Sequence, residues 1–289
     1  MEQKSLDGAA PLAPPASDVA QAYLAEATAV RERRELRIDR RGAARLALVE
    51  AAVLAGYLTA VMLSLGTSPG SLAVLILVGL FSVWSQLVSE RRESYGFISR
   101  GVGSSPTSAA VFGALILVGI GGGVVAQATG TALPLWLRLL PGALVLVVLG
   151  GMAVRDLRSA GPAPLAEDPP SFTPAARWAT FGLGVLVGFG VWAATQTDPL
   201  IPAAAGLILL LAVIAWWTAT QVNARLPSLG AVWGAAPWAA FGVASTLLVA
   251  ALIWMLMAGT VPAGLGAAAG AVCVIAFAIA AVPDGRRAR

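Results

Sequence analysis

The stretch PLIPAAAGLILLLAVIAWWTAT, Pro199–Thr220, is 22 residues long and carries no charged side chain. As a helix it would extend about 33 Å, enough to cross the roughly 30 Å hydrocarbon core of a bilayer. A helix at the surface of a soluble protein keeps a charged or polar face toward water, and this stretch offers no charge for such a face. It therefore predicts a transmembrane helix.

Seven further apolar runs have the same character and fill most of the chain from Arg45 onward. They are Arg45–Gly66, Ser71–Glu90, Ala109–Ala128, Leu133–Ala153, Trp178–Ala194, Ala231–Met257 and Val261–Val282. Only 12% of the residues are charged, whereas soluble domains carry roughly 25%. The sequence predicts an all-α, polytopic membrane helix bundle with eight transmembrane helices.

Positive charge is confined to one side of these predicted spans. If the N-terminus is cytoplasmic, Lys4 and every arginine except Arg138 lie in or beside the cytoplasmic segments. The outer connections, such as TQTD at 195–198, are short and nearly free of cations. This asymmetry predicts a multi-pass plasma-membrane protein with both termini in the cytoplasm. The net charge of +4 then indicates contact with the anionic inner leaflet, not with nucleic acid.

Two polar segments divide the chain. Residues 1–44 form a predicted cytoplasmic arm, disordered over Met1–Pro15 and then helical from Ser17 to Arg41. The basic face of that helix either rests on anionic headgroups or is simply solvated. A Pro-rich linker at 161–174 separates four predicted spans in 45–160 from four in 175–289.

The two halves resemble each other. Trp84 and Arg92 match Trp217 and Arg225 at an offset of 133, and Arg45 matches Arg177 at 132. Toward the C-terminus the offset is 128, and it relates Pro134 and Gly142 to Pro262 and Gly270. Because each half holds an even number of spans, the pattern predicts two parallel repeats about an axis along the membrane normal.

Aromatic and basic residues cluster where the second and sixth spans end. An aromatic belt with basic flanks at the inner interface accounts for such a pattern, and a cytoplasmic partner surface is the alternative. The residues concerned are Trp84, Arg91, Arg92, Tyr95, Trp217 and Arg225.

Two ionisable residues fall inside predicted spans. Glu50 lies about a turn inside the first span, where Arg91 or Arg92 can pair with it; a ligand contact or proton coupling are the alternatives. Arg138 lies about a turn inside the fourth span and is expected to snorkel, unless it binds an anion or pairs with Asp198.

Nucleophilic and metal chemistry lack the residues they need. The chain has no histidine and one cysteine, Cys273, and its only lysine is Lys4. The GTSPG match to a serine-hydrolase pattern at 66–70 therefore has no general base. We expect no catalytic residue, no cofactor and no metal site.

Small residues and prolines inside the spans predict packing features. The pairs Gly184 with Gly188 and Gly266 with Gly270 favour close helix approach, within one chain or between chains. Pro141 and Pro237 either kink their helices or are tolerated by packing.

The charged arm RERRELRIDRRGAAR, with a helical hairpin and the loop ERRESYGFISRG after it, resembles uncharacterised multi-pass membrane proteins of actinobacteria over roughly the first 105 residues. The resemblance implies no activity. The sequence favours a non-catalytic accessory or scaffold component that meets a protein partner through the arm and cytoplasmic loops. The alternative is a transporter for a small apolar or neutral solute, with its path between the repeats, since few ionisable residues lie in the spans.

Overall fold

A computed structural model of the chain describes residues 17–37, 39–64, 70–95, 121, 129, 134–161, 172–222 and 228–282. Every regular element in those residues is a helix. The chain divides into two compact units, Met1–Ile38 and Asp39–Arg289. The first unit contains one described helix, and the second contains the apolar bundle.

Helix α1 (Ser17–Arg37) is the charged helix that the arm predicts, but it ends four residues before Arg41. The reason is a local cap at the start of the next helix. The Asp39 carboxylate accepts a hydrogen bond from the backbone N–H of Gly42 at 2.7 Å, which satisfies a donor that a new helix leaves unpaired. Asp39 therefore caps a second helix, which begins inside the segment predicted as one helix from Ser17 to Arg41.

The second unit contains eight helices among its described residues. They are α2 (Arg40–Ser64), α3 (Gly70–Ser94), α4 (Leu135–Ser159), α5 (Pro174–Ala193), α6 (Leu200–Val222), α7 (Leu229–Val232), α8 (Ala235–Ala258) and α9 (Ala263–Ala280). All except α7 are long and apolar enough to cross a bilayer, which gives seven candidate spans in the described ranges. The predicted third span, Ala109–Ala128, lies outside the described residues apart from Gly121. The chain is thus a polytopic helical bundle.

Helix starts follow from local capping. Thr173 accepts a hydrogen bond from the N–H of Ala176 at 3.3 Å, and Pro174 occupies the first position of α5, where its missing N–H costs nothing. Asp198 accepts from the N–H of Leu200 at 2.9 Å as α6 begins. At the other end of a span, Gly259 adopts φ 78° and ends α8.

The predicted seventh span, Ala231–Met257, is not one helix. It divides into the four-residue α7 and the long α8, separated by Trp233 and Gly234. Pro237 consequently lies in the first turn of α8, where a proline removes no helical hydrogen bond, and not within a span that it would kink. Pro141 does lie inside α4.

Helices α5 and α9 pack at close range through glycine on both sides. A Cβ on Gly188 would lie 2.7 Å from the carbonyl oxygen of Gly270, and one on Gly270 would lie 2.8 Å from that of Gly188. Gly184 lies against the Phe277 side chain, and Gly266 lies against the Thr195 side chain. One glycine of each predicted pair therefore meets the other, Gly188 against Gly270, within one chain.

Helices α3 and α6 form a seam between the two halves. A Cβ on Gly206 would lie 2.6 Å from Leu75, and a Cβ on Gly79 would lie 2.7 Å from Leu209. These contacts advance together along both helices, so the two helices run in the same direction. Ile76, Leu77 and other α3 residues are fully buried, which makes α3 the central helix of the bundle.

One end of the bundle collects arginine side chains, and we call it the arginine end. It comprises the starts of α2 and α5, the end of α3, and α7, which contact one another through Glu50, Arg91, Thr180 and their partners. Six of its arginines fall in described helices: Arg40, Arg41, Arg45, Arg91, Arg92 and Arg177.

Candidate functional site

The last turns of α3 carry a polar network that ties the arginine end together. Glu90, which is buried, accepts a hydrogen bond from the backbone N–H of Gly230 at 2.7 Å. The Gln86 amide donates to the same carboxylate at 3.4 Å, and the Ser228 side chain adds a further hydrogen bond. Gly230 is required here, because a Cβ would collide with the carbonyl oxygen of Leu87.

Arg91 continues the attachment of α3 to α7. Its guanidinium donates to the carbonyl oxygen of Ala231 at 2.9 Å, so α3 binds both an N–H and a C=O of the short helix. The same guanidinium lies 5.2 Å from the centre of the Tyr95 ring and donates to the Tyr95 hydroxyl at 3.3 Å. Arg91 and Tyr95 are both half-buried by these contacts.

Arg92 pairs with Glu50, one of the two pairings that the sequence suggested. The two side chains are 21% and 19% exposed, so solvent screens the pair only in part. The backbone N–H of Asp39 also donates to the carbonyl oxygen of Tyr95 at 3.2 Å. These two contacts join the start of α2 to the end of α3.

The network fixes helices, and its charged residues line neither of the two cavities described below. Glu50 and Glu90 each have a partner within the chain, and those partners come from α3 and α7. A carboxylate removed from water is costly unless such partners satisfy it, which explains why both acids lie against donors. In this structure the carboxylates of Glu50 and Glu90 orient α2, α3 and α7.

Trp84 is a core residue and not the interfacial anchor that the sequence predicted. It is 5% exposed and packs against Trp238 at 5.3 Å and Phe241 at 5.8 Å between ring centroids. Its Nε1 has no hydrogen-bond partner among the described residues. The prediction failed because α8 covers this face of α3, and sequence position along a span does not reveal which face is covered.

The remaining predicted residues are dispersed. Trp217 is about half exposed on α6, away from the buried side of that helix. Arg138 is half-buried in the first turns of α4, and Asp198, its suggested partner, caps α6. Arg225 lies outside the described residues.

Sequence reasoning missed α7 and the aromatic layer beside it. Trp233, just after α7, is 1% exposed and donates from its indole N–H to the Thr180 hydroxyl at 2.9 Å. Trp238 and Phe277 pack against the same ring. The available signal was local: Gly234 and Pro237 inside an otherwise apolar run indicate a break followed by a helix start.

Two apolar cavities lie between the helices. The first, the α5–α6 groove, has a volume of about 270 Å³ and extends inward to α3 and α7. Its lining is Val83, Ala179, Gly182, Leu183, Leu186, Leu209, Ala212, Val213, Trp216 and Leu229. The second, about 460 Å³, lies among α2, α4 and α8 and contains the hydroxyls of Thr59 and Ser64.

The described residues bring together no three His, Cys, Asp or Glu side chains that could hold a metal ion. Comparisons of the chain with family models, with curated proteins and with solved structures find no match. The role of the network and the cavities is therefore inferred from their own contacts.

Proposed function

We propose that this protein is a non-catalytic accessory or scaffold component of the plasma membrane, built from two parallel four-span repeats with both termini in the cytoplasm. Its partner is a second protein, bound through α1. The observation that carries the proposal is a stripe on α1 formed by the exposed apolar side chains of Val19, Tyr23 and Val30, with Glu26 as the one charged residue among them.

Among the described residues of its unit, 17–37, the stripe side chains are left exposed. At 3.6 residues per turn, Val19, Tyr23 and Val30 fall within roughly 40° of one another around the helix. All three are exposed, and Tyr23 is 72% exposed. Helices of this length gain most of their stability from packing an apolar face, so the stripe favours a helix that docks on another surface.

The two intramembrane acids bind partners within the chain, which supports a scaffold role. Glu50 and Glu90 hold helices in place, as described above, and intramembrane acids that serve ion or proton movement would instead face a cavity. The bundle then acts as a platform, and recognition is assigned to α1. Arginine at that end supports its cytoplasmic placement.

Corresponding glycine contacts support the two repeats. Gly142 and Gly270 are related by the offset of 128, and a Cβ on either would lie 2.8 Å from a backbone carbonyl oxygen, that of Ala55 or of Gly188. Ala55 and Gly188 are themselves related by 133, the offset between Trp84 and Trp217. The parallel contact between α3 and α6, the second spans of the two halves, is compatible with a pseudo-two-fold axis between them.

The test compares two charge-matched variants of α1. Tyr23→Glu with Val30→Glu places two acids on the stripe, and Gln21→Glu with Thr28→Glu places two acids seven residues apart on the opposite face. Both variants and the native chain are purified in mild detergent from native membranes, and bound proteins are quantified by mass spectrometry. A stoichiometric partner should be lost only from the stripe variant.

Two results would contradict the proposal. The first is a native chain that purifies without a stoichiometric protein. The second is a complex that survives the stripe substitutions while binding to anionic vesicles is lost, which would assign the stripe to the lipid surface.

The transporter alternative has less support. A path between the repeats would pass the α3–α6 seam, where Gly79 meets Leu209 and Gly206 meets Leu75 without space for a solute. Uptake of an apolar or neutral solute into proteoliposomes would restore that alternative.

A further inference from the structure

Exposed arginines are concentrated on α2 and α4, and we call them the arginine patch. The first turns of α2 carry three of them and the last turns of α4 carry two: Arg40, Arg41, Arg45, Arg155 and Arg158. None of the five forms an ion pair with an acid in the described part of the chain, whereas Arg92 of α3 is paired with Glu50. The patch therefore keeps its positive charge available to a ligand.

The helices α2 and α4 are antiparallel, so the five arginines meet at one end of the pair. Gly142 of α4 lies against Thr59 of α2, and Val145, one turn further along α4, packs against Leu54, which is nearer the start of α2. Ala153, close to the end of α4, is still buried, and α2 is the one described helix in contact with α4. The contact therefore continues to the start of α2, and the end of α4 belongs to the arginine end.

The central pair of the patch, Arg45 and Arg155, lies at the level of lipid headgroups. Arg155 is 10 residues after Val145, and Arg45 is 9 residues before Leu54, so both lie about 15 Å beyond that contact. Both also fall inside candidate spans, five residues after the start of α2 and four before the end of α4. A long basic side chain at such a position extends its charge to the headgroup region. Lipid phosphates lie at this level, whereas a soluble protein stays outside it.

The chemistry of the patch favours a phosphate ligand. A guanidinium presents a rigid fork of donors that matches two phosphate oxygens. Asp156 is the one acid within residues 40–45 and 153–159, so positive charge dominates both helix ends. The axes of two packed helices are about 8–10 Å apart, and Arg45 and Arg155 can therefore approach one phosphate from two sides.

We propose that the arginine patch is a binding site for the phosphate headgroup of an anionic phospholipid, with Arg45 and Arg155 as its central contacts. Such a site differs from the general attraction of basic segments to an anionic leaflet, because it is saturable and belongs to one helix pair. A lipid bound there connects α2 to α4, for which α2 is the one neighbour among the described helices.

The experiment measures phosphatidylglycerol binding to the full chain by native mass spectrometry in an uncharged detergent. The site variant carries Arg45→Gln with Arg155→Gln. The control carries Arg286→Gln with Arg287→Gln, which removes the same charge from the predicted cytoplasmic C-terminal segment. The native chain should bind one phosphatidylglycerol at saturation, and more tightly than it binds phosphatidylethanolamine. The site variant should bind it roughly 30-fold more weakly, as expected for the loss of two cations near the surface, and the control should match the native chain.

A second variant and a stability measurement separate lipid binding from misfolding. Arg41→Gln with Arg158→Gln removes two other arginines of the patch and should also weaken binding more than the control does. All variants should keep the native thermal midpoint in lipid-free detergent. Equal weakening in the control and both patch variants would overturn the proposal, because only the net charge would then matter. Phosphatidylglycerol bound no better than phosphatidylethanolamine, or a soluble anion retained in its place, would overturn it as well.

Discussion

Helices α9 and α4 each pack a glycine closely against another helix, Gly270 against α5 and Gly142 against α2, but they are held differently. α9 packs against both α5 and α8, and Cys273 and Phe277 are fully buried between them. Among the described helices α4 contacts only α2, and most of its large apolar side chains, such as Val147, are exposed. Among the described helices, the close contact of Gly270 therefore belongs to a helix with two neighbours, and that of Gly142 to a helix with one. The loss of stability on adding a side chain at a close-packed glycine should therefore depend on how many neighbouring helices must shift.

The largest effect is expected for Gly270→Leu. Its new side chain would meet the carbonyl oxygen of Gly188 and the Cβ of Trp192, and α9 cannot withdraw without leaving α8 as well. We expect the free energy of unfolding to fall by more than the usual overpacking range of about 1–3 kcal/mol. It is measured in mixed micelles titrated with dodecyl sulfate. Gly264→Leu, at an open position of α9, is the control and should change little.

A smaller loss is expected for Gly142→Leu. The substitution meets the Ala55 carbonyl and the Thr59 hydroxyl, but α4 can shift outward because α2 is its one neighbour among the described helices. We expect about 1–2 kcal/mol in the same titration, with Gly151→Leu at an open position of α4 as the control. A loss equal to that of Gly270→Leu would mean that α4 is held by more than α2.

The smallest effect is expected for Glu50→Ala, which removes the ion pair between α2 and α3. Both partners are part-exposed, so the loss should be within about 1 kcal/mol. Glu90→Ala is the matched comparison, because it leaves the N–H of Gly230 buried and unpaired, at a cost of about 1–3 kcal/mol. If Glu50→Ala costs as much as Glu90→Ala, α2 depends on its ion pair and not on packing.

Much of the bundle follows from the sequence, because crossing a bilayer needs a fixed length of apolar helix. The predicted Trp178–Ala194 and Val261–Val282 correspond to α5 and α9 within a few residues. Contacts between distant segments do not follow from that rule. Glu90 binds Gly230, which is 140 residues away in the sequence, and no local sequence pattern predicts this contact.

Which face of a span is covered also depends on the assembled bundle. Trp84 has the position of an interfacial anchor along its helix, but it is a core residue because α8 packs against it. The eight-span count and the pairing of the repeats stay predictions, as does the scaffold role.

The contact between α3 and α6 can form only after both helices have been synthesised. Gly79 and Leu209, which meet there, are separated by about 130 residues. At a synthesis rate of 5–20 residues per second, the second partner leaves the ribosome roughly 6–26 s after the first. During that interval the buried face of α3 is in the membrane without its partner, open to lipid or to an insertion chaperone. The first half must therefore survive as an incomplete bundle before the second half closes it.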